Sequence, residues 1–213
     1  MKLWDISPPV DACAPVFPGD TPYAQAWVAR LDAGQSANVS AITCTPHAGA
    51  HADAPLHYDD AGAAVGRLEL APYLGPCRVI HAIGCGRLVE WRHLAHALAE
   101  LPPRVLLRTY AHAPLDRFDP ALTAVAPATL ERLADRGVQL VGIDTASVDP
   151  ATSRTLAAHQ VLRRRGLRVL ENLWLDAVPE GDYELIALPL RWIAAEASPV
   201  RAVLRELPRA GAA

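Results

Sequence analysis

Thr45-Pro46-His47-Ala48-Gly49-Ala50-His51-Ala52-Asp53-Ala54-Pro55-Leu56-His57 holds three histidines and an aspartate, separated almost only by Ala, Gly and Pro. Imidazole and carboxylate together suit zinc, manganese or iron, so this spacing points to a metal site. His47, His51, Asp53 and His57 are all odd-numbered, and an extended backbone would send their side chains out from one face. A helix would instead pair His47 with His51 across one turn, as in helical zinc-protease motifs. Pro46, Gly49 and Pro55 oppose a helix, and no Glu follows His47. The remaining alternative is a polar loop between two strands without metal.

Two residues in the second half can join this segment. His159 lies among Leu156, Ala157, Ala158, Val161 and Leu162, on or beside the apolar stripe of a helix pattern. Taken alone it reads first as a core histidine bonded to backbone. Glu171 ends the apolar run Arg168-Val169-Leu170, where a buried carboxylate is costly unless paired or ligated. Cys44 precedes His47 by three residues, but its even position turns it away from the odd-numbered face. Asp144 and Asp149 flank a turn and suit capping or bracing of the loop better than ligation. His81, His93, His96 and His112 have no partner at ligand spacing and read as ordinary. Trp4, Trp27, Trp91, Trp174 and Trp192 read as core or interface aromatics.

The elements that must position these groups alternate between strand and helix. Strands are expected over Lys2–Ser7, Ala24–Leu31, Asn38–Thr45, Arg78–Ile83, Arg104–Thr109, Gln139–Ile143, Arg168–Leu170, Tyr183–Leu190 and Val200–Leu207. Helices are expected over Trp91–Leu101, Pro127–Arg136 and Thr152–Arg165, the last capped by Thr152 or Ser153 and stopped by Gly166. No repeat or long linker divides the 213 residues. The expectation is a single α/β domain, 1–213, with a sheet of mixed direction.

Composition narrows the function classes. The chain is 51% hydrophobic and 20% charged with a formal net charge of -3, so it has no basic footprint for nucleic acid. Arg163-Arg164-Arg165 is short enough to be a solvated helix end. No apolar run approaches the roughly 20 residues that span a bilayer, and the N-terminus turns polar and proline-rich early. A cytoplasmic protein with reduced, mostly buried thiols at Cys13, Cys44, Cys77 and Cys85 is expected.

The joint pattern is more specific than any of its parts. His47-x-Gly49-x-His51-x-Asp53-x-Pro55-x-His57, Gly142-Ile143-Asp144-Thr145, Ser147-Val148-Asp149-Pro150, His159 and Glu171-Asn172-Leu173 resemble the bacterial kynurenine formamidases of the metal-dependent cyclase family. The resemblance runs from Trp4-Asp5-Ile6-Ser7 and Phe17-Pro18-Gly19-Asp20 to the last strands. It implies a compact α/β domain of the swivelling β/β/α type, with a barrel-like sheet and surrounding helices, usually in a homodimer. It implies two Zn2+ per subunit, with Mn2+ or another divalent metal as a substitute. His47, His51 and Asp53 would hold one metal, and a bridging Asp53 with His159 and Glu171 the other. His57 would transfer protons and Phe17 would lie against the substrate ring. The implied reaction hydrolyses N-formyl-L-kynurenine to L-kynurenine and formate. The alternatives are opening of a cyclic amide such as isatin, or metal binding without catalysis. Two positions depart from the pattern: Ala48 where Thr is expected, and Ala146 where Pro is expected. A Thr hydroxyl would have helped to orient His47.

Overall fold

The computed structural model describes residues 2–207. Its elements are β1 (Leu3–Asp5), β2 (Ala24–Ala29), β3 (Val39–Thr43), β4 (His51–Asp53), β5 (Leu74–His81), β6 (Leu88–Val89), α1 (Trp91–Leu94), β7 (Arg104–Arg108), β8 (Ala124–Val125), α2 (Pro127–Asp135), β9 (Leu140–Ile143), α3 (Ala157–Arg165), β10 (Arg168–Glu171), β11 (Gly181–Ile186), β12 (Ala197–Pro199) and β13 (Val203–Glu206). Nine strands form one sheet in the order β1-β13-β11-β5-β7-β9-β10-β4-β12, curled into a half-barrel. Pairing is parallel from β5 through β7 and β9 to β10, and antiparallel on both flanks. This is the single α/β domain of mixed sheet direction that the pattern predicts.

The central strands read as continuous apolar runs because both faces of the sheet are covered. Leu106, Leu140 and Leu170 enter the core inside the curl with Ile6, Tyr73 and Leu204. Their neighbours Val105, Leu107, Val141, Ile143 and Val169 enter the second core, beneath α2 and α3, with Leu130, Leu133, Val161 and Leu162. Each fully buried Leu or Val stabilises the fold by about 1.5–3 kcal/mol. Gly142 marks a point of close packing on β9, where a Cβ would stand 2.5 Å from Leu106 and 2.8 Å from Leu173.

Several local expectations need correction. The histidine segment is not one extended strand. Only His51–Asp53 is strand; His47 sits in the preceding turn, Gly49 turns the chain at φ +65°, and Pro55–His57 forms a 3-10 turn. The helix expected over Trp91–Leu101 is α1 followed by a 3-10 turn at Ala95–Ala97. The helix expected from Thr152 begins at Ala157, because Leu156 at φ 47° breaks the helical path. Ser153 serves a tighter turn, its Oγ accepting the Leu156 N–H at 3.1 Å. All four cysteines are free, but only Cys77 is buried and Cys13 is exposed. Trp27 is 53% exposed on the β2–β3 hairpin, which forms a separate two-stranded sheet. The three arginines end α3 and pair on the surface with Asp59, Glu131 and Asp135.

Candidate metal centre

Sheet parity gathers the site. Ala52 and Leu170 point into the curl, so His51 and Asp53 on β4 and Glu171 on β10 leave from the opposite face. The antiparallel register sets Glu171 directly across from His51 and Val169 across from Asp53. Helix α3 packs on that same face through Ala158, Val161 and Leu162, and brings His159 over the strands. His51, Asp53, His159 and Glu171 are all at least 97% buried, at 1%, 1%, 1% and 3% relative exposure.

The two oxygens of Asp53 face different histidines. Oδ1 lies 3.1 Å from His47 Nδ1 and 3.4 Å from His51 Nε2. Oδ2 lies 3.3 Å from His159 Nε2. Glu171 spans the same gap, with Oε2 3.4 Å from His51 Nε2 and Oε1 3.6 Å from His159 Nε2. Its Oε1 is also held by the Val148 N–H at 2.7 Å. His57 stands on the open side, its ring centroid 4.5 Å from that of His47 and 5.7 Å from that of His159. Donor atoms of His47, Asp53 and His57, and of His51, Asp53 and Glu171, lie close enough together for each set to hold an ion.

The donor set fits a divalent metal on two counts. Four ligands at about 2.0–2.1 Å from a tetrahedral metal stand about 3.3 Å apart, close to the separations here. In addition, His51 Nε2 and Asp53 Oδ1 are buried without any hydrogen-bond partner, a costly state for polar atoms unless they ligate.

Groups outside the cluster fix which nitrogen points inward. The His51 Nδ1–H donates to the Gly49 carbonyl at 2.9 Å, and the His159 Nδ1–H to Asp149 Oδ2 at 2.7 Å. Each leaves Nε2 facing the carboxylates, the arrangement that orients a metal-binding imidazole. Asp149 also caps α3, accepting the Ala158 N–H at 2.9 Å and the His159 N–H at 3.0 Å. Capping is what the sequence predicts for Asp149; its grip on the His159 ring is not legible there. Asp144 braces a loop as expected, through Thr109 and Tyr110, and burial pushes its carboxyl up to about 6 despite those bonds. His47 has Asp53 on one nitrogen and Glu196 Oε1, 3.6 Å away, on the other. Cys44 lies outside both donor sets. His96 does meet an acid, Glu180, at 2.9 Å, but as an exposed surface pair.

Charge within the cluster is tightly balanced. Burial opposes the imidazolium at His51 and His159, yet Glu171, Asp149 and Asp53 outweigh it and raise them to about 9 and about 10. Burial likewise opposes ionised Asp53, but the neighbouring His159 and His47 hold it well below the usual carboxylate range. His57 shifts the other way: desolvation lowers it, so its neutral form is favoured.

Beside the cluster lies a small cleft, about 60 Å³, that is partly open to solvent. Phe17, Tyr110, Phe118 and Trp174 supply its aromatic walls, and Phe17 meets Phe118 edge to face at 5.0 Å. Gly49, between His47 and His51, and Asn172, next to Glu171, belong to the same lining, so cleft and cluster share backbone. Phe17 was expected at such a wall; Tyr110, Phe118 and Trp174 carry no motif and are found only by the fold.

Fold and donor set together define a class: a curled mixed sheet with a buried imidazole–carboxylate cluster under an aromatic cleft. The family model described as "Putative cyclase" matches residues 4–150. A kynurenine formamidase of Delftia acidovorans is 67% identical over 206 residues, covering 97% of this chain and 98% of the relative. A solved structure described as a potential metal-dependent hydrolase with cyclase activity superposes with a TM-score of 0.83 at 27% identity, covering 97% and 99% of the two chains. An isatin hydrolase bound to thioisatinate shares the fold, with a TM-score of 0.82 at 21% identity over 95% and 91%. The chain belongs to the cyclase family and, within it, groups with the bacterial kynurenine formamidases.

Proposed function

We propose that this protein is an arylformamidase that hydrolyses the amide bond of N-formyl-L-kynurenine, giving L-kynurenine and formate in tryptophan breakdown. The observation that carries this reading is the near full-length identity to a kynurenine formamidase, joined to a donor cluster whose flanking residues Gly49 and Asn172 line an aromatic cleft. We assign His47, His51 and Asp53 to one Zn2+ and Asp53, His159 and Glu171 to a second, with Mn2+ or another divalent ion as a substitute. The division of Asp53 Oδ1 and Oδ2 between two histidine groups supports the bridge. Such ions, when bound, lower the pKa of water from about 15.7 to about 7 and polarise a carbonyl oxygen.

The chain's own residues supply the rest. The aryl ring lies in the cleft against Phe17, and the formyl group reaches the cluster past Gly49. His57, whose neutral form desolvation favours, takes a proton from the attacking water as its oxygen joins the formyl carbon. It returns that proton to the arylamine nitrogen as the C–N bond breaks. The formic acid formed loses its remaining acidic proton to solvent as formate, so the protein takes up no net proton. Burial of Asp53, Glu171 and their histidines keeps bulk water from competing for the donors.

The test is ultraviolet-monitored release of kynurenine from N-formylkynurenine, before and after exhaustive chelation, with isatin in parallel. Metal-dependent turnover of the formamide is expected. Turnover of isatin alone would replace this reading with cyclic-amide hydrolysis. Two bound metals without turnover of either would replace it with metal binding alone. The proposal includes a cytoplasmic homodimer. Exposed Trp27, Val28, Leu31, Val39 and Ile42 on and beside the β2–β3 hairpin support a partner subunit there, and sedimentation analysis of the purified protein checks it.

A further inference from the structure

Each imidazole of the cluster has a second ring nitrogen that also needs a partner. Gly49 O answers His51 and Asp149 answers His159. His47 turns Nδ1 to Asp53, so its outward atom is Nε2, and what faces that atom is Glu196 Oε1 at 3.6 Å. No motif marks Glu196, and it lies 25 residues beyond Glu171, the last of the assigned donors.

Backbone on both sides fixes its position. Ala197 opens β12 and pairs with Asp53 on β4, and the Ala54 N–H donates to the Glu196 carbonyl at 2.8 Å. Upstream, the Val65 N–H donates to Ala195 O and the Gly66 N–H to Trp192 O, each at 2.9 Å. Gly66 is needed there, because a Cβ would stand 2.6 Å from the Trp192 carbonyl. The 192–196 segment is therefore tied to Ala54, next to the strand that carries His51 and Asp53, and to Val65 and Gly66. Among the described residues, His47 is the only cationic partner recorded for the Glu196 carboxylate. Its side chain is 40% exposed against 14% for His47, so it can close the last few tenths of an ångström to the about 2.7–3.2 Å of a hydrogen bond.

We propose that Glu196 is the positioning residue of His47. Its carboxylate accepts the outward Nε2–H and selects the tautomer that presents Nδ1 to the metal side of Asp53. It also makes that nitrogen a stronger donor to a divalent cation. The role rests on His47 being a metal ligand.

Zinc affinity of the full-length protein, measured by competition with a chromophoric chelator, tests it in Glu196→Ala, Glu196→Gln and His47→Ala. Steady-state kinetics at saturating zinc accompany each titration, and thermal melts confirm folding. Loss of an orienting partner typically weakens metal binding about 10–100-fold, and that is expected for Glu196→Ala, with kcat reduced and KM little changed. Glu196→Gln, whose amide oxygen still accepts the N–H, is expected to recover most of the affinity. Wild-type affinity in Glu196→Ala beside a weakened His47→Ala would overturn the role of Glu196 alone. A raised KM with zinc affinity unchanged would also overturn it, placing the carboxylate on substrate. Unchanged affinity in His47→Ala would remove the metal assignment and this role with it.

Discussion

The carboxylates around His51 and His159 favour the protonated rings in the metal-free protein, and both rings must be neutral to ligate. Raised to about 9 and about 10 by the surrounding carboxylates, both hold their protons at pH 7. Binding a divalent ion displaces those protons. Metal affinity is therefore expected to rise with pH through about 9 and about 10. Calorimetry in buffers of different ionisation enthalpy should detect up to two protons released per subunit at pH 7, and none released would contradict the assignment of both rings. His57 is lowered, not raised, so it remains an available base below the ordinary 6.5. The acid limb of kcat is expected to fall below that value. Replacing His57 with Ala should cut kcat by about 10²–10⁴-fold while metal content, measured by elemental analysis, stays at the wild-type level.

One carboxylate links helix α3 to the cluster. Asp149 caps the first turn and holds the His159 ring. Asp149→Ala should thus cost about 0.5–2 kcal/mol of stability through the lost cap and about 10–100-fold in metal affinity through the loosened ring. A melt shifted without any change in affinity would separate the two roles. On the opposite side, Gly66 allows the 54–66 and 192–196 segments to touch. Gly66→Ala forces backbone apart and is expected to cost about 1–3 kcal/mol by overpacking, read as a lowered denaturation midpoint.

Across the whole molecule, site chemistry and stability are coupled, because β4 is both a donor-bearing strand and a sheet strand held between β10 and β12. In chelator-treated protein, the raised pKa values of His51 and His159 contribute stability that is fully present below about 6.5. That contribution is lost as pH rises through about 9 and about 10. Asp53, held low, contributes above its ordinary 3.8 and is lost as pH falls. The melting temperature of the chelated protein should therefore decline from pH 6.5 toward pH 10. Metal-loaded protein should melt higher at each pH, since a ligand that binds only the folded state stabilises it. Identical melts with and without chelator would count against a metal centre spanning β4, β10 and α3.

The sequence by itself nominated candidate donors and determined the scaffold. Odd spacing and the run of small residues marked His47, His51, Asp53 and His57. Apolar runs at Arg104–Thr109 and Gln139–Ile143 announced buried strands, because strands covered on both faces have no polar alternation. Tertiary structure decided which groups meet. His47 and His57 reach the cluster from turns, not from the single extended face that parity suggested, because Gly49 and Pro55 bend the chain on either side of β4. Glu171 faces His51 through antiparallel register, and Glu196 faces His47 through β12. Register, loop reversal and helix placement depend on contacts between residues far apart in the chain. Local spacing can nominate ligands, but it cannot bring them within 3–4 Å of one another or supply the partners that orient them.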